Sequence, residues 1–450
     1  DTTINRVYRN PYRGIRSNYR GMPTDCPQRD ERQGWLGDRT AGALGESYIF
    51  DNGLLYAKWL QDIEDTQRGD GALSDVAPNY WPVYNDDVTW PSAYIVIAQM
   101  LYERFGNLQP IVKHYDSMKK WLDHVRDNYM VDYIVTRDYY GDWCMPPESP
   151  EMIHSQDPAR VTDGRLVGTS FFYRLLNMMA RFAAVAGHEE DIPAYLEQAA
   201  RVKDAYNRMF LNPETGQYAN NTVSAGLLSL VQGLVPDTLK QKVFDELVRR
   251  TEVDFDSHVS TGMIGMQFMM RGLSRYGRPD LALTLATNRT YPSWGYMIDR
   301  GATTIWELWN GDTADPAMNS GNHLMQLGDL IAWDWENLAG IQADPAAPGF
   351  KHILMKPDFP QGLEWVDASY ESMYGMIGSH WKRTGGGLSW SVEIPANTTA
   401  TLRVPASDVS QVEADGKPLA ENPALTDVRA SDGFVTFEAG SGSYRFLVGK

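Results

Sequence analysis

Two stretches of the chain hold carboxylates in a density and company suited to proton transfer. The first, Thr24 to Asp38, reads TDCPQRDERQGWLGD and sets Asp25, Asp30, Glu31 and Asp38 beside Arg29 and Arg32. A general acid must keep its proton near neutral pH. Neighbouring carboxylates and partial burial both raise a carboxyl pKa, so such a cluster can tune one of its members. The second stretch, Tyr291 to Trp309, reads YPSWGYMIDRGATTIWELW, with Glu307 between Trp306 and Trp309. A charge among tryptophans is costly unless it is used or paired, and Arg300 is a nearby partner in sequence. The plainer readings are a solvated acidic loop and a structural ion pair. Two carboxylates 276 positions apart (307 − 31) cooperate only if the fold brings them together.

The elements that must do so are helical up to about residue 340. Phe171, Leu175, Met178, Met179 and Phe182 recur at spacings of three and four, as do Leu55, Trp59 and Ile63, which is one face of a helix. About a dozen helix-length segments are joined by loops rich in Pro, Gly and Asp. That number predicts an (α/α)6 toroid over residues 1–342, with an irregular bundle as the alternative. Pro27, Gly34 and Gly37 place the first acidic cluster in a loop. The character changes near Pro345. Leu388, Trp390, Val392 and Ile394 alternate with small or polar neighbours, as do Ala400, Leu402 and Val404, and Asp415-Gly416 signals a hairpin turn. Phe434 to Phe437 and Tyr444 to Val448 read as closing strands. A small β-sandwich is expected over residues 343–450.

The 450 residues exceed one core, and 43% hydrophobic with 22% charged residues is ordinary for a globular chain. No apolar run approaches the roughly 18 residues of a membrane helix. Net charge is −17, from 58 acidic and 41 basic residues, with no basic run, so nucleic acid and anionic lipid are disfavoured as partners and neutral sugars suit better. Cys26 and Cys144 alone make no zinc site, no metal-ligand spacing is visible, and reduced thiols are expected. No cofactor is implied. There are 14 Trp and 24 Tyr; an indole in a loop can stack on a sugar, although most aromatic rings fill cores.

The first acidic string closely resembles the signature of glycoside hydrolase family 78, the inverting α-L-rhamnosidases. In that signature the Glu of Asp-Glu-Arg is the general acid, here Glu31, and the flanking sugar-binding residues fall on Asp25, Arg29, Trp35 and Asp38. The second stretch resembles the family's Thr-Thr-Ile-Trp-Glu, whose Glu is the general base, here Glu307. Gly141-Asp142-Trp143 resembles a segment whose Trp lines the sugar pocket, and Asn322-His323 one whose His reaches a sugar hydroxyl. Trp294 and Tyr296, in a family-like Trp-Gly-Tyr, suit the methyl group of a 6-deoxy sugar as an aromatic wall. The chain departs from the family twice. Leu308-Trp309-Asn310 stands where Arg-Trp-Asp is common, and Ser92 stands where an Asp binds sugar hydroxyls, with Asp86 and Asp87 just upstream as substitutes.

The resemblance runs the length of the chain and implies an exo-glycosidase that removes terminal α-L-rhamnose with inversion, needs no metal, and is exported to the periplasm or beyond. The family's additional β-sandwich domains ahead of the toroid are absent here, so the chain reads as the C-terminal portion of a longer protein. The alternatives are another toroid glycosidase, a polysaccharide lyase, which would want a basic cleft, and a sugar-binding relative without catalysis.

Overall fold

The computed structural model describes residues 2–85, 88–316 and 319–449, and among them are thirteen α-helices. Twelve precede residue 300: α1 (Thr2–Asn18), α2 (Leu36–Glu46), α3 (Gly53–Glu64), α4 (Ala93–Phe105), α5 (Gln109–Tyr129), α6 (Gly164–Ala186), α7 (Ile192–Phe210), α8 (Val223–Val231), α9 (Lys240–Arg249), α10 (Met263–Arg275), α11 (Pro279–Thr287) and α12 (Trp294–Asp299). The short α13 (Leu330–Trp333) follows. Successive helices pack as hairpins, α5 on α6, α6 on α7, α8 on α9 and α10 on α11, while α1 returns to α12. This is the toroid expected from the periodicity. Its inward stripes are dry: Phe171, Leu175, Met178, Met179 and Phe182 on α6 are all buried, as are Trp59 and Ile63 on α3. Asp163 caps α6 by accepting from the Arg165 N–H, and Gly187, at φ +82°, ends it in the left-handed conformation that glycine adopts at least cost.

The chain divides into two compact units. One comprises Asp1–Glu46, Asp51–Gln99 and Leu108–Leu330; the other comprises Ser47–Phe50, Met100–Asn107 and Ile331–Lys450. The first also holds two short hairpins, β1 (Met130–Val131) with β2 (Ile134–Val135) and β3 (Leu211–Asn212) with β4 (Gln217–Tyr218).

The second unit is a β-sandwich. Its strands are β5 (Ile341–Ala343), β6 (His352–Met355), β7 (Trp365–Ser372), β8 (Gly375–Thr384), β9 (Gly387–Ile394), β10 (Thr399–Val404), β11 (Val412–Ala414), β12 (Lys417–Pro418), β13 (Leu425–Ser431), β14 (Phe434–Ala439) and β15 (Gly442–Gly449). They form a five-stranded sheet, β13-β14-β10-β6-β5, and a six-stranded sheet, β12-β11-β15-β9-β8-β7. The alternating residues of β9 and β10 point into the core between them, Trp390, Ala400, Leu402 and Val404 without exposed surface. Asp415 and Gly416 both have positive φ, +53° and +78°, and join β11 to β12 in the tight hairpin that Asp-Gly signalled. Arg104, buried in this unit, lies over the rings of Tyr48, Phe350 and Tyr370 at 3.5, 4.3 and 4.7 Å. No helix among the described residues is long and apolar enough to cross a membrane.

In the helical unit a buried ion pair anchors the first acidic loop. Arg39 and Glu46 on α2 have no exposed surface; Arg39 Nη1 donates to Glu46 Oε1, and Nη2 donates to the Thr24 carbonyl. Tyr19 and Tyr56 hydroxyls donate to Glu46 Oε2. With both charges dry, removing one leaves the other uncompensated, at a cost of about 3–5 kcal/mol. Glu46→Gln therefore lowers the stability of the helical unit by on the order of 3 kcal/mol, read from its denaturant midpoint. An unchanged midpoint shows that the pair does not hold this region.

Candidate active site

Residues 24–35 form the loop expected, but α2 begins at Leu36, so Gly37 is helical and Asp38 stands in the first turn. The reason for glycine there is packing: a Cβ on Gly37 would sit 2.3 Å from the Trp90 ring, and one on Gly34 2.0 Å from the Ala77 carbonyl oxygen. The loop closes on itself. The Asp25 N–H donates to the Gln33 carbonyl at 2.9 Å, and the Gln33 N–H donates to Asp25 Oδ1 at 2.6 Å. Beyond it, Trp35 bridges to Val76, and the Leu36 N–H donates to the Asp75 carbonyl. Arg32 is held at φ +49°, outside the conformations a side chain prefers.

Glu307 lies in an irregular segment that runs beside a second one. The Glu307 N–H donates to the Ser320 carbonyl at 2.9 Å and the His323 N–H to the Ile305 carbonyl at 2.8 Å. These two bonds put Glu307 and His323 on one wall.

The two walls meet at Arg29. Its Nη1 donates to Glu307 Oε2 at 2.7 Å, while Nη2 reaches Glu307 Oε1 at 3.3 Å and donates to Glu31 Oε2. One nitrogen thus touches both carboxylates, and their nearest oxygens lie within about 6 Å of each other, given an ordinary hydrogen-bond length to Glu31. That is at or below the lower edge of the roughly 6.5–9.5 Å typical of inverting carboxyl pairs. Arg300, the partner expected from sequence for Glu307, pairs instead with Asp312 at 3.5 Å, because its exposed side chain leans over Tyr296. Glu307 is 3% exposed and also accepts from the Ser320 N–H at 2.7 Å.

Glu31 Oε1 accepts from Trp35 Nε1 at 2.6 Å. Burial first, then the Asp25 charge, raise the Glu31 carboxyl above its ordinary value, against the opposing pull of Arg29, Trp35 and His323. Asp30 takes no part: it is fully solvated and faces Arg32 at 3.5 Å. Asp38 is pushed up to about 6, chiefly by burial. His323 Nδ1 lies 3.3 Å from Asp38 Oδ1, and Nε2 lies 3.7 Å from Asp25 Oδ2 and 3.9 Å from Glu307 Oε1. Burial pushes the imidazole down, but Glu307, Asp38, Asp25 and Glu31 together carry it above the ordinary histidine value. In a neutral ring Nδ1 accepts from the Met325 N–H at 3.1 Å; in the charged ring it serves Asp38.

Asp25, Arg29, Glu31, Trp35, Asp38, Glu307 and His323 therefore converge. The other aromatic candidates lie around them. Trp143 reaches the cluster through Tyr140, whose ring is 5.6 Å from Trp143 and 6.1 Å from Trp35. Trp294 is 1% exposed and gives its Nε1–H to the Gln326 carbonyl, while Gln326 Nε2 donates to the Glu307 carbonyl. Its indole is packing behind Glu307, not an open wall. Tyr296 bonds Asp312 at 2.8 Å. Ser92 is buried and donates to the Thr89 carbonyl at 2.6 Å, so it closes its own turn. Asp86 and Asp87 lie outside the described residues. Asn310 holds the 150–152 loop by donating to the Pro150 and Met152 carbonyls. The sequence reading missed Tyr140, Ser320, Gln326 and the Arg39–Glu46 pair. Only Tyr140, adjoining Gly141-Asp142-Trp143, carried any signal.

Cys26 and Cys144 are free and buried. One ligand atom each of Asp25, Cys26 and Glu31 lies within 4.8 Å of the others, a spacing that suits a metal ion. Burial and Asp25 push the Cys26 thiol up to about 12, and Arg29 and His323 already face Asp25, so the group is poorly suited to a cation.

The raised Asp38 fixes a sign. Its folded pKa of about 6 exceeds the ordinary 3.8, so its contribution to stability is fully present below about pH 4 and is lost as pH rises through 6. Asp38→Asn, neutral throughout, should melt above the parent at pH 7.5 and lose that advantage by pH 4. Parallel melting curves at all pH values would show that Asp38 is not held protonated.

The chain matches the model of the "bacterial alpha-L-rhamnosidase 6 hairpin glycosidase domain" over residues 1–338 and that of the "bacterial alpha-L-rhamnosidase C-terminal domain" over residues 340–417. It is 32% identical to an α-L-rhamnosidase of Streptomyces avermitilis over 451 residues, covering 99% of this chain and 41% of that one. Among solved structures it is similar to α-L-rhamnosidase from Dictyoglumus thermophilum, with TM-score 0.92, 33% identity and coverage of 100% and 50%. It is similar also to the Streptomyces avermitilis enzyme complexed with L-rhamnose, with TM-score 0.90, 31% identity and coverage of 99% and 41%. The chain spans less than half the length of the curated relatives it matches. It belongs to the bacterial α-L-rhamnosidases of glycoside hydrolase family 78.

Proposed function

We propose that this chain carries the catalytic machinery of an inverting exo-glycosidase that removes terminal α-L-rhamnose from oligosaccharides or glycosides, as its relatives' names describe for them. The carrying observation is the contact of one guanidinium, Arg29, with Glu31 and Glu307, which gathers two distant segments at one point. We assign the chemistry to a catalytic domain of residues 1–342, with residues 343–450 as a β-sandwich domain.

Glu31 is the general acid. Burial and Asp25 favour its neutral form, so it holds a proton for the departing glycosidic oxygen. Glu307 is the general base, and its contacts are those of a carboxylate: a guanidinium, a backbone N–H and the facing edge of His323. It takes the proton of a water that attacks the anomeric carbon from the opposite face, and inversion follows. Substrate binding exchanges some of Arg29's carboxylate contacts for sugar hydroxyls, which frees the space between the two acids. Asp25, Asp38 and His323 present further polar groups to the ring hydroxyls, and Trp35 and Trp143 present apolar surface.

A poor leaving group needs protonation to depart, and an activated phenolate departs with little help. Glu31→Gln should therefore lose on the order of a thousandfold or more on a natural glycoside, far more than on a nitrophenyl rhamnoside, and should lose the alkaline limb of the pH profile. Glu307→Gln should lose comparable activity on both. The reverse pattern swaps the roles, and proton NMR of the first-formed rhamnose as the α anomer removes the inverting mechanism.

A further inference from the structure

The outer face of the six-stranded sheet carries a groove of about 450 Å³, laid across β7, β8, β9 and β15. That volume is within the range of small-ligand sites. Side chains alternate along a strand, so the register fixes which residues share this face. Trp365 stands opposite Lys382, and Lys382 opposite Ser389. In the next row Asp367 stands opposite His380, followed by Ser391 and Arg445. Successive strands lie about 4.8 Å apart, so the floor from β7 to β15 is about 14 Å wide. Two serines make β9 the low line of that floor, between longer side chains on either side.

The lining offers three kinds of contact. Trp365, on the edge strand, is 55% exposed and presents an open indole. Ser389 is only 5% exposed, and its hydroxyl, which opens to the groove, has no hydrogen-bond partner among the described residues. The acids are already answered: His380 Nδ1 lies 2.5 Å from Asp367 Oδ1, and Asp415, in the turn after β11, accepts from the Arg445 N–H at 2.9 Å. The side chains of Lys382 and Arg445 make no ion pair among the described residues. They stand on either side of β9 and leave room for one anion between them. A densely charged polymer does not fit, because the net charge of −17 repels it and two cations are all the groove supplies.

We propose that this groove is a second carbohydrate-binding site, carried by the β-sandwich, which holds an otherwise neutral glycan through a single uronate. Trp365 stacks on a pyranose ring, and the carboxylate sits above β9 between Lys382 and Arg445. Ser389, Ser391 and the Asp367–His380 pair take hydroxyls. The site gives the chain a hold on a glycan independent of the Glu31–Glu307 cluster, and it does not rest on the hydrolytic reading.

The test titrates the whole chain, by calorimetry, with a xylo-oligosaccharide bearing one glucuronate and with its carboxyl-reduced counterpart. Neither ligand carries rhamnose, and they differ only in the charge. The parent should bind the acidic ligand about fivefold more tightly, the worth of an exposed ion pair. Trp365→Ala should weaken both ligands by about tenfold. Lys382→Gln combined with Arg445→Gln should bring the acidic ligand to the affinity of the reduced one, and about 0.5 M salt should do the same to the parent. Lys382→Arg should keep the preference. All these variants should hydrolyse a nitrophenyl rhamnoside as the parent does. Equal affinity for the two ligands, no binding by the parent, or variants that bind as the parent does each overturn the proposal. A parent that binds no sugar but dimerises in sedimentation, with Trp365→Ala a monomer, assigns the face to a second copy and overturns it too. A parent that prefers the acidic ligand but hydrolyses no rhamnoside supports the site and overturns only the catalytic reading.

Discussion

Like charges brought together in a dry pocket repel strongly. Two carboxylates 4 Å apart in a medium of effective dielectric 20 cost about 4 kcal/mol, and four of them, Asp25, Glu31, Asp38 and Glu307, surround one point here. Among the described residues Arg29 and His323 face them as cations, and Arg39 acts on Asp38 from behind. The cluster persists because each cation serves several anions, and burial together with the Asp25 charge raises both Glu31 and Asp38 above their ordinary values, which lowers the cost of protonating them. Burial, which makes that repulsion costly, is also the largest cause raising Glu31 and Asp38. Arg29 is the hinge of this balance, since it contacts both Glu31 of the 24–35 loop and Glu307, while Gln28, donating to the Ser320 hydroxyl at 2.6 Å, and His323 span the same gap beside it.

Such a cluster must be held by elements that cannot relax, and the surrounding backbone shows how. Each acid-bearing segment is closed by backbone bonds at both ends: Asp25 to Gln33 on one side, and Glu307 to Ser320 with His323 to Ile305 on the other. Behind the first, Arg39 reaches the Thr24 carbonyl while tied to Glu46; behind the second, Gln326 reaches the Glu307 carbonyl while its own carbonyl is tied to Trp294. Both supports act mainly on the backbone, although Arg39 also lowers the cost of the Asp38 charge. They fix the backbone, so the electrostatic cost is paid by the core.

Sequence carried the elements well because burial has a period. The α6 stripe and the alternation of β9 and β10 are local patterns that water alone enforces, and Asp415-Gly416 has few conformations open to it. The members of the cluster were legible as residue types in two strings, but their partners were not. Arg300 lies seven positions from Glu307, whereas Arg29 lies 278 away (307 − 29) and is nevertheless the residue in contact. Nothing local favours one over the other; the loop closure does. Trp294 shows the same limit from the other side: an indole in a suggestive string is as readily a support for Gln326 as a face for sugar, and only burial separates the two. Ser92 in place of an acidic residue is likewise silent in sequence, and its hydroxyl is spent on the Thr89 carbonyl.

The distribution of charge across the site has a consequence for what it admits. Around Arg29 the walls are ionic, suited to a ring with many hydroxyls whose donors and acceptors replace water at little loss. Across Trp35 and Tyr140 the walls turn aromatic and the charges pair off among themselves, as Arg165 does with Asp163. A ligand charged throughout is disfavoured, because an anion meets carboxylates at one end and a desolvating apolar surface at the other. The net charge of −17 acts in the same direction at longer range. The field of the whole chain and the local walls thus oppose a polyanion in the same sense.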